Sequence, residues 1–207
     1  MTSSHLGQAY IICAPSGTGK STLIRRLLSE FSSFTFSVSC TTRAPRAGEV
    51  DGRDYHFVSR AEFERMRGAG HFAEWAEVHG NLYGTPLPQA KAILDGGRDI
   101  IFDIDVQGAM QLKQSLPHGC FIFLLPPSRQ ALVERLTMRG TDGPEVVARR
   151  LANARQEIGH APEFQYLIVN DDLELAYARL RAVVVAQQLT PDRNPGLVDG
   201  ILAGWAQ

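Results

Sequence analysis

The sequence has few of the features of a secreted, metal-clustering or membrane-spanning protein. Its 207 residues include only three cysteines, Cys13, Cys40 and Cys120, which are widely spaced and form no CxxC pair. We therefore expect small buried side chains in a reducing compartment, not disulfides or metal ligands. No apolar run reaches about 18 residues and no basic segment opens the chain, so we expect no signal peptide, no membrane span and a cytoplasmic location.

A strong net charge is also absent. The 21 Lys and Arg residues are balanced by 22 Asp and Glu residues, which leaves a net charge of −1. Such a chain has no global field that would attract nucleic acid or an anionic membrane, so we expect neither as a partner. Affinity for a phosphate compound must then come from local clusters of Arg and Lys. Both a monomer and a homo-oligomer stay open.

Short apolar strands alternate with amphipathic helices, which is typical of an α/β fold with a parallel sheet. Strands are predicted at Ala9–Cys13, 35–39, 55–58, 99–104, Cys120–Leu125 and Tyr166–Val169. Helices are predicted at 21–30, 59–68, 86–95, 128–139, 144–158 and, capped by Asp171, up to Gln188. Residues 190–207 carry two prolines and a short apolar run, to which the pattern gives no role.

The segment Ala-Pro-Ser-Gly-Thr-Gly-Lys-Ser at positions 14–21 lies between the first strand and the first helix. A phosphate-binding P-loop requires this context, because backbone N–H groups and a helix N-terminus then surround the phosphates. Lys20 supplies a cation for the β- and γ-phosphates, and the Ser21 hydroxyl can coordinate Mg²⁺. Ala14 replaces the Gly of the strict motif, a mild change. The order of elements disfavours the alternative, a glycine-rich turn with an incidental lysine.

A phosphoryl acceptor must be recognised elsewhere in the chain. Arg43 and Arg46 lie three residues apart on a segment that contains proline, and guanidinium groups suit a phosphate dianion. Tyr55 and Tyr83 could add hydroxyl donors. On spacing alone, a solvated basic loop explains these residues equally well.

Two carboxylates, Asp103 and Asp105, follow the apolar stretch 100–102. On a strand they would share one face, near the edge where ligands bind in open parallel sheets. This placement favours Asp103 as an acidic partner for the hydration shell of Mg²⁺. The alternative is that these carboxylates cap the following helix.

Taken together, several motifs resemble guanylate kinases. They are SCTTRAPRAGEVDGRDY at 39–55, FAEWA at 72–76, GNLYGT at 80–85, DIDVQG at 103–108, RxxxRG at 135–140 and VNDD at 169–172. The resemblance covers residues 8–188 and implies a three-layer P-loop NTPase fold with a central parallel sheet. It also implies a core domain (1–36, 90–134 and 156–207), a GMP-binding excursion (37–89) and a lid (135–155). The implied reaction is ATP + GMP ⇌ ADP + GDP with Mg²⁺, and dGMP is expected to serve as well.

The resemblance assigns roles to residues of the acceptor site. Glu74 would accept from guanine N1–H and the 2-amino group, Ser39 and Thr85 would reach O6, and Asp105 would support the base. A carboxylate suits the two adjacent donors of guanine and would repel the N1 acceptor of adenine. The implied GMP-binding set is Ser39, Arg43, Arg46, Tyr55, Glu74, Tyr83, Gly84, Thr85, Asp103, Asp105 and Gly108. Without the resemblance, an exposed charge beside a core tryptophan is the simpler reading of Glu74.

The donor site and the lid follow from the same resemblance. The implied ATP-binding set is Ala14, Pro15, Ser16, Gly17, Thr18, Gly19, Lys20, Ser21, Thr22, Arg135, Arg139 and Asn170. The implied catalytic residues are Lys20, Arg43, Arg139 and Arg150, and the implied metal partners are Ser21 and Asp103. Lid arginines brought in by closure would stabilise negative charge on the transferred group and exclude water.

Two other functions compete with a guanylate kinase. A P-loop kinase of a phosphorylated ribose would not need the base-reading residues Ser39, Glu74 and Thr85. A non-catalytic interaction module would be expected to lose Lys20 or the lid arginines, which are all present here.

Overall fold

The computed structural model describes residues 6–78, 80–138 and 143–205. The strands are β1 (Ala9–Cys13), β2 (Phe34–Phe36), β3 (Cys40–Thr41), β4 (His56–Phe57), β5 (Phe72–Val78), β6 (Asn81–Pro86), β7 (Asp99–Asp103), β8 (Cys120–Leu125) and β9 (Tyr166–Val169). The helices are α1 (Lys20–Glu30), α2 (Arg60–Gly68), α3 (Leu87–Asp95), α4 (Val106–Ser115), α5 (Arg129–Thr137), α6 (Pro144–Gly159), α7 (Leu173–Gln188) and α8 (Leu197–Ala203). No described helix combines the length and apolar character needed to cross a bilayer.

The central sheet is parallel and has the strand order β2-β7-β1-β8-β9. Helices cover both faces, which is why β1 is a continuous apolar run. Ile11 and Cys13 pack towards α4, while Tyr10 and Ile12 pack towards α1 and α7. The predicted α/β fold with a central parallel sheet is therefore confirmed.

A second, smaller sheet has the order β4-β3-β6-β5 and lies within the segment expected to bind GMP. One of its faces packs on α2 through a small apolar cluster that includes Cys40, Phe63 and Leu82. The strands β5 and β6 form an antiparallel pair from Phe72–Pro86 to Val78–Asn81. The strands β3, β5 and β6 were not predicted from the sequence, although Gly80-Asn81 between two aromatic-rich stretches is a hairpin signal.

Two expectations about local structure need correction. The cap of α7 is Asp172, whose side chain accepts from the Leu175 N–H at 2.8 Å, and not Asp171. The strand predicted at 35–39 ends at Phe36, where its pairing with β7 stops. The three cysteines are free thiols in the core, as expected.

The C-terminal residues form a short 3-10 turn at Pro191–Arg193 and then α8. Arg193 is only 4% exposed, and its Nη2 atom lies 2.6 Å from Asp99 Oδ1 at the start of β7. The turn is therefore attached to the central sheet by an ion pair in which both side chains are buried.

Candidate active site

The P-loop adopts a conformation that only its glycines permit. Gly17 and Gly19 have φ angles of +90° and +95°, in the left-handed region that side chains disfavour. A Cβ on Gly19 would lie 2.6 Å from Asn170 Nδ2, the atom that donates to the Thr18 carbonyl oxygen at 2.7 Å. Helix α1 begins at Lys20, so the unpaired N–H groups of its first turn face the loop. The loop is thus a preformed anion site.

Ala14, the departure from the strict motif, is partly buried against the apolar cluster around β1 and α1. The loop lines a cleft of about 390 Å³. The cleft is lined by Ala14, Pro15, Ser16, Gly17, Gly19, Lys20, Ser21, Thr22, Arg25, Asp105 and Glu157. Most of the predicted ATP-binding residues are therefore brought together.

Lys20 reaches from the P-loop to the carboxyl end of β7, the strand next to β1 in the central sheet. Its Nζ atom lies 2.6 Å from Asp103 Oδ1 and donates to the Ile104 carbonyl oxygen at 3.0 Å. Ser21 and Asp103, the two predicted metal partners, line one cleft of about 290 Å³ together with Arg53 and Asp54. The donor set at this position is thus a hydroxyl and a carboxylate beside the P-loop cation.

The sequence predicted that Asp103 and Asp105 share one face of a strand. They do not, because β7 ends at Asp103. The side chain of Asp105 instead caps α4 and accepts from the Gly108 N–H at 2.8 Å. The capping alternative is therefore correct for Asp105. The capped helix brings Gly108 against the acceptor site, where a Cβ would lie 3.0 Å from Glu74 Oε2.

Glu74 and Thr85 form a buried polar pair across β5 and β6. They are 8% and 1% exposed, and the Thr85 hydroxyl donates to Glu74 Oε1 at 2.6 Å. The register of β5 shifts between Phe72 and Glu74, and such a bulge can re-aim a side chain. Burial raises the pKa of the Glu74 carboxyl above its usual value, although the hydrogen bond from Thr85 opposes this shift. The exposed-charge reading of Glu74 is wrong.

The register of β3 and β6 indicates where other predicted acceptor residues lie. Cys40 pairs with Gly84 and Thr41 with Tyr83, and the same register extended by one residue would set Ser39 opposite Thr85. Tyr83 is two residues from Thr85 and faces the same side of β6. Gly84 faces the opposite side, where a Cβ would lie 2.9 Å from the Phe72 ring, so only its backbone could meet a ligand.

Arg43 lies in a cluster with two tyrosines and a glutamate. Its Cζ atom is 5.5 Å from the Tyr55 ring centroid, and the Tyr55 and Tyr83 rings are 5.9 Å apart in an edge-to-face arrangement. Arg43 Nη2 donates to both carboxylate oxygens of Glu49 at 2.9 and 3.0 Å. Arg46 is exposed and contributes its backbone N–H to the same carboxylate. The structure thus groups the residues expected to bind the GMP phosphate.

The predicted lid residues are only partly observed. Arg135 at the end of α5 donates to the Asn170 carbonyl oxygen at 2.9 Å, next to the P-loop. Arg150 lies on α6 and is half-buried, while Arg139 lies outside the described residues.

Three residues near the site were not singled out from the sequence. Glu49 contacts Arg43, Gln111 binds the backbone of Trp75 through both its amide atoms, and Glu157 lines the P-loop cleft. Burial is the main cause that raises the pKa of Glu157, and the nearby Asp105 adds to it. Only Glu49 had a local signal, because Gly48 before it predicts a turn.

The fold and site define a class of protein. A P-loop at the carboxyl end of β1, with a second polar site on an adjoining small sheet, is the arrangement of a P-loop phosphotransferase.

Comparisons with known proteins identify the family. The guanylate kinase family model matches residues 6–187. Guanylate kinases of Nitratidesulfovibrio vulgaris and Oleidesulfovibrio alaskensis are 59% and 57% identical over 199 residues, covering 96% of this chain and 96% and 97% of theirs. The crystal structure of guanylate kinase from Anaplasma phagocytophilum has 35% identity and a TM-score of 0.73, covering 94% of this chain and 93% of that chain.

The chain belongs to the guanylate kinase family. The predicted guanylate kinase function, and with it the class of nucleoside monophosphate kinases, is confirmed by these relatives. The two competing functions, a ribose-phosphate kinase and a non-catalytic interaction module, are set aside.

Proposed function

We propose that the chain transfers the γ-phosphoryl group of ATP to GMP, and also to dGMP, between the P-loop and the small sheet. The observation that carries this assignment is the buried Glu74–Thr85 pair, in which the carboxylate has the Thr85 hydroxyl on one oxygen and Gly108 beside the other. A buried carboxylate without a cationic partner is costly unless a ligand satisfies it. Guanine offers two adjacent N–H donors for that purpose. Among the described residues near the pair, none is an evident sensor of the ribose 2′-hydroxyl.

The hydroxyl groups of Thr85 and Ser39 would have different roles in the base subsite. Thr85 has a single hydroxyl proton, and this proton is directed at Glu74 Oε1. We therefore propose that Thr85 orients Glu74, whereas Ser39 is the hydroxyl donor for guanine O6. Asp105 supports the subsite through α4, because its cap places Gly108 against the Glu74 carboxylate.

The phosphate of GMP would bind the cluster of Arg43, Arg46, Tyr55 and Tyr83. A guanidinium fork matches two phosphate oxygens, and tyrosine hydroxyls add neutral donors. The predicted contributions of Gly84 and Asp103 to GMP binding are restricted, since Gly84 offers only its backbone and Asp103 is paired with Lys20.

The residues beside the P-loop fit Mg²⁺. Ser21 and Asp103 supply oxygen atoms to one cleft, and Mg²⁺ in such sites takes one or two protein oxygens together with phosphates and water. When bound there with ATP, the ion would neutralise charge on the β- and γ-phosphates. Lys20 would exchange its contact with Asp103 for the ATP phosphates.

The remaining charge stabilisation would come from the lid. We propose that residues 37–89 and 135–155 approach the core when both substrates bind, and that Arg135, Arg139 and Arg150 then contact the transferred group and the ATP phosphates. Positioning and charge stabilisation are most of what phosphoryl transfer requires. A cytoplasmic location stays a prediction of the sequence.

A coupled assay of ADP release with Mg²⁺ and ATP tests this proposal. GMP and dGMP should support turnover, and AMP and UMP should not, because they cannot satisfy Glu74. Glu74→Gln should lower kcat/KM for GMP by roughly ten- to a hundredfold, since an amide loses the charge and one acceptor. The variant should also have a smaller ratio of kcat/KM for GMP to kcat/KM for AMP. An unchanged preference in the variant would show that Glu74 does not read the base.

A further inference from the structure

The carboxylate of Glu49 lies between the two arginines of the proposed phosphate subsite. Arg43 Nη2 donates to both of its oxygens, at 2.9 and 3.0 Å, and the Arg46 backbone N–H donates to Oε2 at 2.7 Å. The side chains of Arg43 and Glu49 are only 15% and 20% exposed. We propose that Glu49 is a positioning residue that holds Arg43 ready for the phosphate of GMP. The inference rests on the phosphate subsite proposed above.

The local sequence explains how Glu49 reaches this position. The Glu49 N–H donates to the Arg46 carbonyl oxygen at 3.1 Å, which closes a four-residue turn. Gly48 has a φ angle of +86°, and a Cβ there would meet nothing within 4 Å, so the backbone angle and not space selects glycine. The turn reverses the chain and returns the Glu49 side chain towards Arg43.

Contacts on several sides fix the Arg43 guanidinium. Besides the Glu49 contacts through Nη2, Nη1 donates to the Ala44 carbonyl oxygen at 2.7 Å, and the Tyr55 ring lies 5.5 Å from Cζ. A guanidinium has five N–H donors, so these acceptors leave donors for a ligand. An arginine that is ordered before binding loses less side-chain freedom when the ligand binds.

The charge of Glu49 acts in the opposite direction, because a carboxylate repels a phosphate dianion. The hydrogen bonds from Arg43 and from the Arg46 N–H hold the pKa of Glu49 below its usual value, so the group is ionised at neutral pH. Its charge is largely compensated by those same donors. We therefore expect the loss of ordered donors to outweigh the relief of repulsion when Glu49 is removed.

The test compares Glu49→Ala and Glu49→Gln with the parent chain and with Glu62→Ala. Glu62 is a matched control, since its carboxylate is also bound by an arginine, Arg65, at 2.6 and 2.8 Å, but outside the proposed subsite. Steady-state kinetics give KM and kcat for GMP. Calorimetry gives Kd for GMP and for guanosine, which has the base but no phosphate.

Glu49→Ala should raise KM and Kd for GMP about tenfold or more, with kcat changed less than about threefold and guanosine binding unchanged. Glu49→Gln should recover part of the loss, because its amide oxygen still accepts from Arg43. Equal weakening of GMP and guanosine, or a lower KM for GMP, would overturn the proposal. A parent chain that binds guanosine as tightly as GMP would instead overturn the phosphate subsite itself.

Discussion

At the scale of single residues, the proposed base subsite contains a buried carboxyl group. Glu74 is 8% exposed, its oxygens meet the Thr85 hydroxyl and the bare α-carbon side of Gly108, and no cation among the described residues forms an ion pair with it. Desolvation therefore favours the neutral acid, while the guanine contact proposed above requires the anion. We therefore expect base recognition to depend on pH.

Guanosine binding should weaken on acidification at a higher pH than an ordinary glutamate would cause. The pKa of Glu74 is raised mainly by burial, so the protonated form, which cannot accept from both guanine donors, accumulates as the pH falls towards that raised pKa. Calorimetry with guanosine from neutral to acidic pH measures this, because guanosine has no phosphate to titrate. Glu74→Gln should bind weakly without this dependence. The same dependence in the variant would assign it to another group.

At the scale of elements, helix α4 of the core holds the strand that carries Glu74. The Trp75 N–H donates to Gln111 Oε1 at 3.1 Å, and Gln111 Nε2 donates to the Trp75 carbonyl oxygen at 3.0 Å. Ser115 Oγ donates to the Ala73 carbonyl oxygen at 2.8 Å. The backbone of the residues before and after Glu74, Ala73 and Trp75, is thus hydrogen-bonded to side chains of α4.

Gln111→Ala should therefore weaken guanine recognition although Gln111 touches no predicted ligand atom. Two hydrogen bonds worth about 1 kcal/mol each are lost, so we expect KM for GMP to rise about three- to thirtyfold and the preference for GMP over AMP to decrease. KM for ATP should not change. Gln114→Ala, an exposed glutamine on the same helix, is the control. If the variant lost thermal stability but kept its preference for GMP over AMP, the prediction would be wrong and Gln111 would only stabilise the fold.

The elements differ in how far the sequence could predict them. The apolar run Ala9–Cys13 and the glycines after it predicted β1 and the P-loop, because a buried strand and a left-handed turn each leave a local signal. The small sheet left little signal in the sequence. The register of β5 is interrupted by a bulge between Phe72 and Glu74, and β3 has only two residues. Asp105 was misplaced because the pattern of apolar residues does not mark where a strand ends.

At the scale of the whole molecule, Gln8 near the start of the described chain and Arg193 after α7 meet at Asp99, at the end of the central sheet opposite the P-loop. Asp99 Oδ1 accepts from the Gln8 N–H at 2.8 Å as well as from Arg193, and Asp99 Oδ2 accepts from Gln188 Nε2 at 3.3 Å. Asp99 is 1% exposed. The segment after α7, which the sequence left without a role, thus completes a buried polar network at the amino ends of the strands.

Arg193→Ala should destabilise the fold without altering catalysis. Removal of one partner leaves Asp99 as an uncompensated buried charge, which costs about 3–5 kcal/mol and, in a chain of this size, lowers Tm by about 10 °C. Kinetic constants for ATP and GMP below the transition should stay within twofold, since the site lies at the opposite end of the sheet. Thermal unfolding measures the effect, with the exposed Arg179→Ala as control and Arg193→Lys expected in between. A Tm equal to that of the control would mean that the tail is not held by this pair.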